Sequence, residues 1–441
     1  MKWDGIGPGS NVRDSDGPSL LLWRGLFMKK KYLGINGLGR IGKLLLWNQL
    51  IEKHFDGIIV SLGRTVGTGI GDLIQSIVTD STYGQLDRFL YGYLGKKLDV
   101  CIISEEEYEV SIDGMYIKFL VKERNPKNIN WDEYGVEIVC DCTGVFLNPH
   151  EFENPKGTLR GHLDGGAKKV VVSAPFKLNH PMLPEDSAMI VYGINHHTYD
   201  TNKHNIVSAA SCTTTALSHM MKPLIDKIGA SRILTASMST IHAATNTQSI
   251  LDGLPSAGAK DLRKDRASLN NIVITSTGAA KALKYVLPEI KDIGFMADSI
   301  RIPTNTVSLV TLNLTFKADE DKYIIDKEFI NNIYKDSSEN EQKNFLFYIE
   351  KQSVSSDLRG FKGSAVIEGF ETTTATEYIK DSKGEDIPVT HGKIFGWYDN
   401  EFGSYVNSLS NIVIHMDNEL TSKKEDITEL SYVYELDRKV N

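Results

Sequence analysis

From Tyr32 onward, short apolar runs rich in β-branched residues alternate with amphipathic stretches. YLGING reads as a strand, RIGKLLLWNQLIEKH as a helix with its apolar residues on one side, and GIIVSLG as the next strand. After a longer excursion VEIVCDC and KKVVVSAP repeat the theme. Strands this apolar, separated by helices, predict a doubly wound parallel sheet of the α/β class. The period changes after Cys212. RILTASMSTIHA, ADSIRIPTN and VSLVTLNLTFKA are longer and alternate apolar with polar positions, which predicts an α+β unit with a mostly antiparallel sheet. The expected division is therefore residues 28–211 and 212–399, with a helix at about 400–420 returning to the first unit and a tail over 421–441. DKEFINNIYKDSSENEQKNF is polar and predicts an exposed helix and loop, and the tail shows no clear core face.

Composition adjusts this picture in three places. At 441 residues the chain is long enough for two domains with added segments. Residues 1–27 are rich in Gly, Pro, Ser and Asp without periodicity, and are expected to be a disordered or non-native leader. The formal charge of -8 argues against a broad nucleic-acid or anionic-membrane surface, and no apolar run reaches the length of a bilayer span. Four cysteines make no disulfide framework, so a cytoplasmic setting is expected. Cys101, Cys140 and Cys142 lie in strand-like segments and read as buried thiols. No metal site is indicated.

Gly37, Gly39 and Gly42 form G-x-G-x-x-G around Leu38, Arg40 and Ile41, at the first strand-to-helix turn. That placement indicates a Rossmann-type dinucleotide site: glycines admit a tight turn and a close pyrophosphate, and the helix start offers free N–H groups. The second strand departs from the usual pattern. It ends VSLGRTVG, so Gly63 and Arg64 stand where an acid normally binds the ribose of NAD. Arg64 either pairs with a 2′-phosphate or is a solvated loop residue; the expectation is NAD or NADP, leaning toward acceptance of NADP.

Cys212, in SCTT, precedes a helical pattern interrupted by Pro223, and His242 ends the strand STIHA. A thiol at a helix start is expected to have a lowered pKa, and a histidine brought to it can serve as general base. One cysteine and one of eleven histidines are also compatible with two unrelated buried residues. More specific is the ordered set INGLGRIG, ERNP, SCTT, STIHAATNTQ, TSTGAAKA, LPEI, IRIPT and WYDNEFG, which resembles the phosphorylating glyceraldehyde-3-phosphate dehydrogenase family from about residue 32 to 418, weakly around 325–350. The resemblance implies Cys212 as nucleophile, passing through a thiohemiacetal and a thioester, and His242 as base. It implies Thr245 and Arg301 for the substrate phosphate, and Ser211, Thr213, Thr277, Gly278 and Lys264 for inorganic phosphate, with Lys264 in place of the family's arginine. Thr143, Gly144 and Asn400 match cofactor-lining positions, and a homotetramer acting in glycolysis is implied. Departures surround these residues: Ala209, Thr215 and Ala216 replace Asn, Asn and Cys, Ile274 replaces a proline, and Ser404-Tyr405 reverses the family order. A related aldehyde such as erythrose 4-phosphate, or a catalytically degenerate binding protein, are the alternatives.

Overall fold

The computed structural model describes residues 30–180, 182–255, 257–259, 261–317, 324–380 and 382–440, with side chains described up to Lys423 in the last helix. The leader 1–27 and the side chains of most of the tail lie outside the described residues.

The first sheet has nine strands: β1 (Tyr32–Asn36), β2 (Gly57–Ser61), β3 (Val100–Ser104), β4 (Glu109–Ile112), β5 (Met115–Leu120), β6 (Val136–Asp141), β7 (Lys169–Val172), β8 (Ser187–Met189) and β9 (Ile206–Ser208). Their order is β8-β9-β7-β6-β1-β2-β5-β4-β3. All pairings are parallel except those joining β3, β4 and β5. Order reverses beside β1, so the carboxyl ends of β1 and β6 open a crevice, the usual ligand position in such sheets. Helix α1 (Arg40–Glu52) leaves this point and buries Leu44, Leu45, Leu46, Trp47 and Leu50.

Helix α2 (Cys212–Ile228) leads to the second sheet: β10 (Ile233–Ala243), β11 (Val273–Ser276), β12 (Gly294–Ile302), β13 (Ser308–Lys317), β14 (Leu346–Ile349), β15 (Ala365–Glu368), β16 (Thr373–Lys380) and β17 (Asp386–Tyr398). The order is β11-β12-β10-β13-β17-β15-β14, with β16 also paired to β17. Only β10–β12 and β14–β15 are parallel, so the sheet is mixed and mostly antiparallel, as the alternation predicts. Helices α2, α3 (Ala279–Val286) and α4 (Lys327–Glu339) share its core: Leu217, Met220 and Leu224 pack with Leu283, Ile330, Val310, Leu312 and Ile394. Helix α5 (Asn407–Val440) returns to the first sheet, where Leu409, Ile412, Val413 and Met416 join the core under α1.

Three expectations need correction. The polar stretch after Asp326 is not simply exposed: α4 buries Ile330, Ile333, Tyr334 and Ser337, an i, i+3, i+4, i+7 stripe, and Tyr334 donates its hydroxyl to the Met220 carbonyl at 2.9 Å. Helix α2 runs through Pro223 because burial along its length holds it in place. Cys101 is exposed, since β3 is an edge strand with both faces open; Cys140 is buried and Cys142 half-buried.

Candidate active site

Glycine geometry shapes the crevice. Gly37 has φ +91, a left-handed value that glycine adopts without strain. A Cβ on Gly42 would be driven into the Gly37 carbonyl oxygen, whereas one on Gly39 would meet nothing within 4 Å. The loop is thus closed beneath and open above. No side chain caps α1, so its first N–H groups face the opening. Thr143 abuts Gly37, and the Thr143–Gly144 turn is held by Asp141, whose Oδ1 accepts from Thr143 N at 3.1 Å and Oγ1 at 2.7 Å. Behind it, Asp141 Oδ2 accepts from Asn36 at 2.8 Å and lies 3.0 Å from His162 Nε2, while His162 Nδ1 accepts from Trp131. This buried relay fixes the wall, and nothing in the sequence reading identified it. A nicotinamide dinucleotide fits these residues: an open glycine cradle, a helix start and a rigid facing turn.

The end of β2 offers cations. Gly63 is left-handed, and Arg124 of ERNP lies against it, donating Nε to the Gly63 carbonyl at 3.0 Å. Arg64 is exposed and makes no hydrogen bond or ion pair with another described residue. At the other edge, Arg40 bridges Asp80 and Glu401, joining the start of α1 to the segment after β17.

The sulfur lies at the start of α2. Ser211 is its N-cap, accepting from Thr214 N at 3.1 Å, and the preceding Ala210 takes φ +54. Tyr405 donates its hydroxyl to the Ala210 carbonyl at 3.1 Å, which pins that left-handed residue. Cys212 Sγ is 3.5 Å from His242 Nε2. Tyr398 stands edge-on to the imidazole, with its hydroxyl between Thr213 at 3.0 Å and Thr240 at 2.6 Å. Asn400 Oδ1 accepts from Ser308 Oγ at 2.9 Å, and Ser308 Oγ accepts from Ala243 N at 3.1 Å. The asparagine is therefore tied to the residue following His242. Tyr398 could have been found from its place in WYDNEFG, and Tyr405 from the reversed Ser404-Tyr405 order that follows it; Ser308 carried no usable signal.

Electrostatics correct one expectation. Burial pushes the Cys212 thiol above its ordinary value, outweighing Arg301 and the N–H groups at the helix start, so it is raised rather than lowered. Burial and then Arg301 pull His242 down to about 3, against the favourable Ala243 carbonyl. Without ligands the pair is a thiol beside a neutral imidazole, and only the ring nitrogen that carries no hydrogen can take a proton.

Of the remaining positions outside the start of α2, Arg301 alone makes a hydrogen-bond contact with this pair among the described residues. Arg301 on β12 is in register with His242 on β10 and reaches its Nδ1 at 2.6 Å. Thr245 lies on the turn just after β10, its Oγ1 3.0 Å from Thr247 Oγ1. Thr277 and Gly278 precede α3, and Thr277 Oγ1 accepts from Ala279 N. Lys264 occupies the turn Leu262–Asp265 packed against β11. Its neighbours Arg263 and Arg266 are paired with Asp261 and Asp252, whereas the exposed Lys264 side chain makes no hydrogen bond or ion-pair contact among the described residues and feels the charge of Asp261. The hydroxyls of Ser211 and Thr213 are committed to the cap and to Tyr398.

Residues 31–149 match the family described as "Glyceraldehyde 3-phosphate dehydrogenase, NAD binding domain", and residues 211–400 match its C-terminal domain. Among similar curated proteins, glyceraldehyde-3-phosphate dehydrogenase 2 of Nostoc sp. is 36% identical over 371 residues, covering 84% of this chain and 94% of its own length. Glyceraldehyde-3-phosphate dehydrogenase 1 of Bacillus cereus is 34% identical over 384 residues, covering 87% and 98%. The Streptomyces coelicolor enzyme is 35% identical over 393 residues, covering 88% and 99%.

Proposed function

The chain belongs to the glyceraldehyde 3-phosphate dehydrogenase family, and on that premise we propose how its own residues perform the reaction. The function is phosphorylating oxidation of glyceraldehyde 3-phosphate with a nicotinamide dinucleotide, through a cysteine thioester. The observation that carries the residue roles is the 3.5 Å approach of Cys212 Sγ to His242 Nε2, made from two different elements, α2 and β10.

Cys212 adds to the aldehyde carbon, and its proton passes to the adjacent imidazole or to the new oxyanion. The N–H at the start of α2 stabilises that oxygen. His242 then removes the hydroxyl proton as the C–H electron pair leaves with the hydride, giving the thioester. A bound nicotinamide dinucleotide supplies the hydride acceptor. Asn400, steadied by Ser308, orients the carboxamide; Gly37 to Gly42, with Thr143 and Gly144, hold the pyrophosphate and the facing wall. Arg301 and Thr245 take the substrate phosphate. Lys264, Thr277 and Gly278, with Ser211 and Thr213, take the inorganic phosphate that cleaves the thioester. A lysine there keeps the charge and loses the bidentate fork.

The same reading gives Arg64 the 2′-phosphate of NADP, supported by its lack of an internal partner and by the missing acid on β2. We read 28–211, with α5, as the dinucleotide unit and 212–399 as the catalytic unit. Leu234, Ile274 and Met296 are exposed along β10, β11 and β12, together with Ile250, Leu251 and Leu254; this apolar surface supports a homo-oligomer, by family resemblance a tetramer. Four free cysteines support a reducing, cytoplasmic setting. Among the described residues, no helix is long and apolar enough to cross a membrane.

Steady-state turnover of glyceraldehyde 3-phosphate and erythrose 4-phosphate, with NAD and NADP and with or without phosphate, tests the reading. Phosphate-dependent oxidation favouring glyceraldehyde 3-phosphate is expected. Phosphate-independent turnover would assign thioester hydrolysis instead, and absence of turnover would leave a binding protein.

A further inference from the structure

His242 Nδ1 faces two partners that make opposite demands. The Ala243 carbonyl oxygen lies 2.8 Å away and requires a proton on Nδ1. Arg301 Nη1 lies 2.6 Å away and, as a donor only, requires a lone pair there. Nη1 is also 3.3 Å from the same carbonyl, so the guanidinium competes for both groups. A neutral imidazole carries one proton, and whichever nitrogen holds it leaves the other as the acceptor. Burial, and then the Arg301 charge, pull His242 down to about 3, which favours the neutral imidazole.

We propose that Arg301 sets the tautomer of His242, so that a phosphate dianion draws the guanidinium away and thereby converts His242 into a base toward Cys212 and its adduct. This rests on the assignment of Cys212 and His242 as the reacting pair. With Arg301 on Nδ1 the proton sits on Nε2, pointing at Sγ; Nε2 can donate a hydrogen bond to a thiolate but cannot accept a proton. Once Arg301 leaves, Nε2 gives its proton to solvent water and Nδ1 takes one from water, so the net charge is unchanged. Nδ1–H then bonds to the Ala243 carbonyl and the Nε2 lone pair faces the sulfur. The thiohemiacetal O–H then breaks, its proton going to Nε2, while the C–H electron pair leaves as hydride and the carbon becomes the thioester carbonyl. The carbon is oxidised and the dinucleotide reduced, so the step balances.

A second observation points the same way. Arg301 is half-buried and pairs with no carboxylate among the described residues; its hydrogen-bond partners are His242 and the Ala243 carbonyl. Most of its N–H donors are unspent, and Thr245 stands on the turn just beyond His242. A guanidinium in that state is prepared for an anion. Arg301 is thus a positioning residue for the base as well as a phosphate ligand, and chemistry is slow until a phosphate dianion is seated.

Two measurements test the gate. On dinucleotide-free protein carrying [15N]histidine, solid-state 15N spectra are compared with and without phosphite dianion, His242 being identified by subtracting His242→Asn. The proton is expected on Nε2 without phosphite and on Nδ1 with it; an Nδ1–H tautomer in both, or no change, would overturn the proposal. In the second measurement, unphosphorylated glyceraldehyde at saturation gives a first-turnover burst of reduced cofactor. Phosphite is expected to raise its rate constant roughly 10- to 100-fold, the worth of one hydrogen bond from a charged donor. Arg301→Met is expected to lose the phosphite response and to react roughly 10- to 100-fold faster than the unstimulated wild type, because Nδ1–H can then bond the Ala243 carbonyl without phosphite. An effect of phosphite on KM alone, or a variant no faster than the unstimulated wild type, would show that Arg301 only binds or acts directly. Failure of the underlying assignment looks different: glyceraldehyde 3-phosphate would give no burst with wild type, or Cys212→Ser would stay active.

Discussion

At Cys212 two influences oppose each other, and the balance sets how the residue must work. A helix start and Arg301 favour the thiolate, but burial wins in the ligand-free protein. The thiol therefore depends on its neighbour to lose a proton. Cys212→Ser is expected to fold and bind dinucleotide while losing aldehyde oxidation by several orders of magnitude, because serine is far less ionised; near-normal turnover would remove Cys212 from the mechanism. His242→Asn should lower the first-turnover rate by about 10²–10⁴-fold, the range of general-base help. At the same scale, the proposed pairing of Arg64 with a 2′-phosphate can be tested directly. Removing a charge-assisted contact is worth about 1.5–3 kcal/mol, so Arg64→Ala should cut the NADP/NAD ratio of kcat/KM by roughly 10–100-fold. A ratio that does not move would leave Arg64 a solvated loop residue.

Among the elements, α1 and α2 each set part of the site by close packing. The tightest approach is Gly42 on the Gly37 carbonyl, with Cys142 Cβ 3.3 Å from the missing Cβ. Gly42→Ala should shift α1 off the sheet, costing about 1–3 kcal/mol as overpacking does. Dinucleotide affinity should fall with it, readable by quenching titration; unchanged affinity would show the loop is not the pyrophosphate cradle. Helix α2 carries His219, stacked on Phe345 and facing Gln342 Oε1 at 2.7 Å. Burial outweighs the Gln342 and Tyr192 acceptors and lowers this histidine from 6.5 to about 4. Because the folded value is depressed, the unfolded chain binds the extra proton first as pH falls. Stability from this group is full above pH 6.5 and is lost as pH falls from there to about 4, about 3 kcal/mol in all. His219→Gln should flatten the fall in urea midpoint between pH 7 and 5; an equally steep fall would place the acid sensitivity elsewhere.

Across the whole molecule, Arg40 links segments some 360 positions apart in sequence, its Nε donating to Glu401 Oε1 at 2.9 Å. Asp80 completes the junction: burial would raise its pKa, but Arg40 and Lys43 hold it down to about 2. Its contribution is present above the ordinary carboxylate range and disappears only as pH falls toward 2. Tyr83 reinforces the joint by donating to Asp399 at 2.7 Å. Glu401→Gln should lower stability by about 1–2 kcal/mol, less than a fully buried pair because solvent reaches both side chains. It should also weaken dinucleotide binding, since Glu401 adjoins Asn400. A variant that loses stability with unchanged binding would make this junction purely architectural.

The sequence by itself determined the two sheet styles, the glycine turn, and Cys212 at a helix start, because periodicity, φ requirements and capping are local properties. Local patterning also placed His242 at a strand end, and ordered motifs told which cysteine and histidine to pair. Only the tertiary structure decided the rest. The polar helix α4 gained a buried face by packing on helix α2, more than a hundred positions earlier in sequence, and Cys101 proved exposed because strand order put it at an edge. Thiol and imidazole are both neutral because burial, summed over distant segments, outweighs the helix start that the sequence displays. Ser308, Tyr398 and Tyr405 act through hydrogen bonds across the fold, and the rivalry between Arg301 and the Ala243 carbonyl exists only because β10 and β12 lie in register. Contacts of this kind depend on three-dimensional closure, which no local pattern encodes.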